Sequence, residues 1–138
     1  MPRRLLLVTA AGLLAALAPA CSRDLGPEAT YRALARAVSD RDGDEAWALL
    51  SSASQKWLQE RARRAAAAAP GVVTPNARQL LVGDAALGAR PPTSIEVARY
   101  EGDRVILRVQ APATAPGEVT LVREGGRWRV ELPEPGEG

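Results

Sequence analysis

The chain has no histidine and a single cysteine in 138 residues. Each absence removes a class of chemistry. Without an imidazole there is no histidine general base, no Ser-His-Asp triad and no Cys/His zinc site. One thiol, Cys21, can form no internal disulfide. Apolar runs are short too: Leu5 to Ala18 falls below the roughly 20 residues of a bilayer-spanning helix. The one dense acidic cluster, Asp40-Arg41-Asp42-Gly43-Asp44-Glu45, does not fit a calcium loop, which needs Gly sixth and Glu twelfth. Here Gly43 is fourth and Ser51 twelfth. No metal or other cofactor is expected.

What the chain does have begins at its N-terminus. Arg3 and Arg4 precede the apolar run, and Ala18-Pro19-Ala20-Cys21 follows it. A positive segment, an apolar segment and small residues in that order read as a secretory signal peptide over residues 1–20. Two modes of cleavage between Ala20 and Cys21 fit. Cys21 resembles the lipobox cysteine of bacterial lipoproteins, which is diacylglyceryl-modified and becomes the new N-terminus. That pattern usually places Leu three residues before the Cys, where Ala18 stands. Ala18-Pro19-Ala20 also fits the ordinary A-x-A site, which releases a soluble secreted protein. The unpaired thiol favours lipidation, since a lone cysteine is otherwise odd in an oxidising compartment. Acyl chains such as palmitate then anchor residues 21–26, a short tether, to the membrane. Ser22 after Cys21, in place of Asp, implies the outer membrane, with the domain in the periplasm.

Removal of residues 1–20 leaves 118 residues, enough for one core, with 16 basic and 16 acidic side chains. A neutral mature chain implies no general affinity for nucleic acid.

Residues 27–83 carry helical signals. Pro27 opens a helix whose apolar stripe is Tyr31, Leu34, Ala35 and Val38, ending near Ser39-Asp40. Asp42 and Glu45 have capping-box spacing ahead of a short helix, Asp44 to Leu50, that buries Trp47 and Leu50. A third helix is predicted from Ser54 to about Ala69, with Ser52 and Gln55 in capping-box spacing. Leu58, Ala62, Ala65 and Ala69 give it a thin apolar face, with Trp57 at one edge. Lys56, Arg61, Arg63 and Arg64 make it locally basic, and Glu60 pairs with Lys56 and Arg64 at i, i+4. Thr74-Pro75 starts a fourth helix, with Leu80 and Leu81 inward and Gly83 as its C-cap.

From Thr93 to Leu132 the period switches to two. Ile95 and Val97 alternate with polar residues, as do Val105, Leu107 and Val109. An odd-length turn at Glu101-Gly102-Asp103 pairs Val97 with Leu107 and Ile95 with Val109. In this register Arg99 shares the apolar face. Gly125-Gly126 forms a two-residue turn that pairs Leu121 with Val130 and Val119 with Leu132. Trp128 lies on that apolar face opposite Arg123, as a cation–π pair. Glu124 and Arg127 flank the turn as a salt-bridging pair, and residues 133–138 form a polar tail. The expected fold is α+β: three to four N-terminal helices packed on a curved four-stranded antiparallel sheet, one domain over residues 27–132.

Two segments carry a family resemblance. They are Ala37-Val38-Ser39-Asp40-Arg41-Asp42-Gly43-Asp44-Glu45-Ala46-Trp47 and Glu124-Gly125-Gly126-Arg127-Trp128-Arg129-Val130. With helices first and a strand meander after, the chain resembles small bacterial lipoproteins of the nuclear-transport-factor-two-like type. The resemblance spans about residues 27–132 and implies a cone, with a pocket at the wide end of the sheet. The family usually places a strand between its second and third helices, and none is evident here.

Three functions compete. An envelope-anchored, non-enzymatic domain binding a small apolar ligand or a partner protein is the leading one. Its candidate pocket residues are Tyr31, Trp47, Trp57, Arg99, Arg123 and Trp128. An isomerase-like enzyme is the second, because enzymes of this fold use a carboxylate base and a Tyr; Tyr31 is the candidate, with no partner marked by spacing. A structural accessory is the third, and it predicts a filled cone with an exposed apolar patch.

Overall fold

The computed structural model describes residues 24–72, 76–83 and 90–133. The signal peptide, Ala20, Cys21, the Thr74-Pro75 helix start and the tail beyond Pro133 lie outside the described residues. Among the described residues four helices, α1 (Pro27–Ser39), α2 (Gly43–Ala48), α3 (Ser52–Ala68) and α4 (Ala77–Val82), accompany one open sheet. Its strands are β1 (Ser94–Glu101), β2 (Arg104–Gln110), β3 (Gly117–Glu124) and β4 (Arg127–Glu131), an antiparallel meander ordered β1-β2-β3-β4. The fold class is α+β.

Local chemistry explains most helix ends. Pro27 takes the first position of α1, where its missing N–H is not needed. The Asp42 carboxylate accepts the Glu45 N–H at 3.0 Å and caps α2. α2 ends at Ala48, and its buried residue is Ala46, with Trp47 only half-buried. α3 begins two residues before the predicted start. Its cap is Ser51, whose Oγ accepts the Ser54 N–H at 3.2 Å. Ser51 is fully buried, so the hydroxyl has no water to compete with this bond. Ala65 and Ala69 turn out exposed, and the apolar face of α3 stops at Ala62. Asn76 and Gln79 form a reciprocal capping box at α4 that the sequence reading missed. Gly83 follows α4 in an extended conformation; a Cβ there would stand 2.7 Å from the Gln79 carbonyl oxygen.

Leu50 leaves the helix altogether. The Val130 N–H donates to the Leu49 carbonyl at 2.8 Å, and the Ser51 N–H donates to the Val130 carbonyl at 2.9 Å. This single parallel bridge at Leu50 stands between α2 and α3, where the sequence showed no strand. It covers part of the free edge of β4 and joins the helices to the sheet.

Register decides which side chains face the helices. Val97 pairs with Leu107 and Ile95 with Val109, as the pattern predicted, but the turn is not odd. Glu101 pairs with Arg104 across the two residues Gly102-Asp103, and the extra residue is absorbed by a bulge at Ala98. The bulge reverses parity for the last three residues of β1. Tyr100 therefore joins the inner face beside Val105, and Arg99 lies opposite Ile106 on the outer face. At the second hairpin Gly125 and Gly126 adopt φ of 57° and 77°, values that L side chains resist. Leu121 pairs with Val130, as predicted.

The core sits between α1, the segment that carries Ala46 and Leu50, and the inner sheet face. Val105, Leu107, Leu121 and Val130 meet Leu34, Ala37, Ala46, Leu50 and Leu58 there. No described helix is long and apolar enough to cross a membrane.

Candidate functional site

α1 crosses the inner face and presents Tyr31, Leu34, Ala35 and Val38 at i, i+3, i+4, i+7, so all four point one way. α3 faces them with Ala53, Ser54 and Trp57, one helical turn apart. Between the helices and the sheet lies a cleft of about 740 Å³. Val109 and Ala111 from the end of β2, Val119 from β3, and Val130 and Leu132 at the end of β4 form its floor. Arg90, Pro91 and Pro92 stand at its mouth. The space continues round the end of β4 to the outer face, where it meets Arg104, Glu118, Thr120 and Glu131.

The cleft exists because β4 is short. It ends at Glu131 while β3 begins at Gly117, so the first residues of β3 have no partner on that side. Ser54 closes the gap partway: its Oγ accepts the Leu132 N–H at 2.8 Å and the Ser51 hydroxyl at 2.9 Å. That oxygen therefore accepts two hydrogen bonds. Tyr31 is the contrasting polar group, since its hydroxyl has no hydrogen-bond partner among the described residues. Burial pushes the Tyr31 phenol above its ordinary value of 10.0, so it stays protonated and able to donate. Trp57 offers an aromatic wall, with the Arg61 guanidinium 5.5 Å from its ring centre.

The acids that touch the cleft lie on its outer-face side and pair with arginines there. Glu131 holds Arg104 at 2.7 Å and Glu118 holds Arg99 at 3.4 Å, both on the outer face. Among the described residues no group of three or more Asp, Glu, Cys or His is placed to hold a metal ion.

The six candidate residues from the sequence are divided among four places. Tyr31 and Trp57 share the cleft. Trp47 lies on α2 with the Arg78 guanidinium 5.6 Å from its ring. Arg99 is on the outer face, contrary to the expected register, because the Ala98 bulge turned it over. Its guanidinium meets Glu101 at 2.7 Å, and that hydrogen bond raises its pKa further. Arg123 and Trp128 are at the opposite end of the sheet from the cleft. There Arg123 stacks on Trp128 at 5.4 Å, the predicted pair, and also binds Asp24 at 3.2 Å. Neighbouring Glu124 accepts the Ser52 N–H at 3.1 Å and the Ser52 hydroxyl at 2.8 Å, so it caps α3 from across the chain. Arg127 stands opposite it in register.

Sequence reasoning missed Val109, Val119 and Leu132 as a cleft floor. Their alternation marks them as inner-face residues but does not tell a filled face from an open one. Compared with known proteins, the chain matches no family model, no curated protein and no solved structure.

Proposed function

We propose that this protein is an envelope-anchored lipoprotein whose domain binds a small apolar ligand in the Tyr31–Trp57 cleft, without catalysis. The observation that carries the reading is the cleft itself. Its volume lies within the 300–1,000 Å³ typical of small-molecule sites. Its floor is apolar, and an unpartnered hydroxyl donor on Tyr31 stands on the helix side to orient a ligand carrying a hydrogen-bond acceptor. In this reading the helices pack on a curved, cone-like sheet of the nuclear-transport-factor-two-like type, with the cleft at its wide end. Lipidation of Cys21, and the outer membrane as destination, complete it.

An open cleft supports ligand binding over a purely structural accessory, which needs a filled cone. The isomerase alternative gains no support. The carboxylates that reach the cleft, Glu118 and Glu131, each pair with an arginine on the far face, and neither hydrogen-bonds Tyr31.

The test is titration of the mature domain with N-phenylnaphthylamine, following probe emission and Trp fluorescence. Saturable binding that weakens on Trp57→Ala or Val119→Arg, with unchanged circular dichroism, supports the cleft. Binding indifferent to both substitutions sinks it. Intact mass of the membrane-extracted protein, beside Cys21→Ser, tests the anchor separately.

A further inference from the structure

We propose that the end of the sheet carrying the two hairpin turns is the face this domain sets against a lipid bilayer, leaving the cleft open to the aqueous side. The inference rests on the reading of Cys21 as an acylated anchor, and goes beyond it by fixing the orientation of the domain.

The first observation is where the chain leaves the domain. Asp24 is held by Arg123 at 3.2 Å, and Arg123 lies one residue before the end of β3, beside the Gly125-Gly126 turn. Leu25 lies in a recess with Trp128 and Thr30 at the same end. Only two residues, Ser22 and Arg23, separate Asp24 from Cys21, so three Cα steps give a reach of at most about 10 Å. An acyl group on Cys21 therefore enters the bilayer close to the hairpin turns.

Surface chemistry at this end is the second observation. Large hydrophobic side chains exposed among the described residues are Leu25, Val72 and Tyr100. Two of these three, Leu25 at 41 % and Tyr100 at 60 %, belong to the hairpin end. The Tyr100 ring is 6.3 Å from Trp128, brought there by the same bulge that turned Arg99 away. A tyrosine with an apolar ring and a polar tip suits the headgroup level, where one side of the ring is dry and the other wet. Charges at this end nearly balance: Asp24, Glu101, Asp103 and Glu124 against Arg104, Arg123, Arg127 and Arg129, with Arg23 of the tether adding one positive charge. Contact is thus apolar and anchor-dependent, not an attraction to anionic lipid.

Position of the cleft follows. β3 runs from Arg123 at the hairpin end to Gly117 near the cleft, about 20 Å at strand rise. The Gly117 end of the sheet, with the cleft mouth at Arg90, Pro91 and Pro92, is thus the end turned away from the bilayer, so the ligand arrives from the aqueous compartment or from a partner docked there.

The full chain is tested as the membrane-extracted protein, reconstituted in phosphatidylcholine vesicles containing lipid with a headgroup nitroxide. Asp103→Cys places a thiol for a bimane label at the hairpin end, and Ala115→Cys places one on the loop between β2 and β3. The label at 103 should lose most of its emission to the nitroxide while the label at 115 keeps it. Leu25→Ser with Tyr100→Ser should restore emission at 103. Equal quenching of both labels, or the reverse order, overturns the orientation. Quenching at 103 that ignores the double substitution overturns the apolar contact. Intact mass of the same sample separates the two levels: absence of acyl mass on Cys21 removes the anchor itself, whereas acyl mass with equal quenching removes only this proposal.

Discussion

The two faces of the sheet are built from the same four strands and are opposite in kind. Inward, Val105, Leu107 and Leu121 are completely shielded by helices and neighbouring strands. Outward, Arg108 pairs in register with Glu96 and Glu118, and Arg104 reaches Glu131. Two apolar residues, Ile106 and Val122, sit in this charged surface, and Ile106 is the more deeply covered. Ile106 is 6 % exposed, nearly as hidden as the core. Its cross-strand neighbours are Arg99 and Thr120, and Arg104 and Arg108 flank it along β2. Long arginine stems lying over apolar surface can hide a side chain without a second layer of structure. Burial alone therefore does not identify a core; what covers the residue decides its contribution.

The largest effect should separate these two kinds of burial. Leu107→Ala removes a side chain packed on all sides and should cost about 2–5 kcal/mol in denaturant unfolding. Ile106→Ala should cost less, about 1–2 kcal/mol, because arginine stems collapse into the gap. Equal losses would mean the outer face is as rigid as the inner one.

Deletion of Ala98 sharpens the comparison next. It leaves every observed cross-strand pair intact and restores strict alternation over Ile95-Glu96-Val97-Arg99-Tyr100-Glu101. The deletion should cost about 1 kcal/mol or less. With an odd turn and no bulge, the same deletion would throw half the strand onto the wrong face and unfold the domain.

Tyr31→Phe should matter mainly at high pH. Burial raises the native phenol above 10.0, so the folded state favours the protonated form. Its contribution is complete below the unfolded value and is lost as pH rises through the native one. The Phe variant should match the parent at neutral pH and lose stability less steeply above about pH 10, measured by unfolding at a series of pH values. The smallest effect belongs to Arg99→Ala. Its ion pairs with Glu101 and Glu118 are solvent-exposed, and the unfolding midpoint should not move measurably at about 0.15 M salt. A clear loss would place Arg99 back on the inner face.

Legibility in the sequence followed the range of the interaction. The Gly125-Gly126 turn, the Asp42 cap and the α1 stripe depend on residues within a few positions of each other, so they could be read directly. Tyr31 and Trp57 were identifiable as candidate pocket residues, though nothing local joined them. Arg99 was misplaced because alternation counts residues but does not say where a surplus one is absorbed. An odd turn and a bulge give the same pairing for Ile95 and Val97, and they differ only beyond Ala98.

The sequence by itself determined the periodic elements, the two-residue turn and the exclusion of histidine chemistry, because these rest on backbone geometry and composition. Only the tertiary structure decided that Leu50 leaves its helix to pair with Val130. It also decided that Glu124 caps α3 from 72 residues away, and that the inner face is left partly open as a cleft. Those outcomes depend on backbone groups and side chains from distant segments competing for the same hydrogen-bond partners and the same apolar surface. That competition takes place only once the chain has closed on itself.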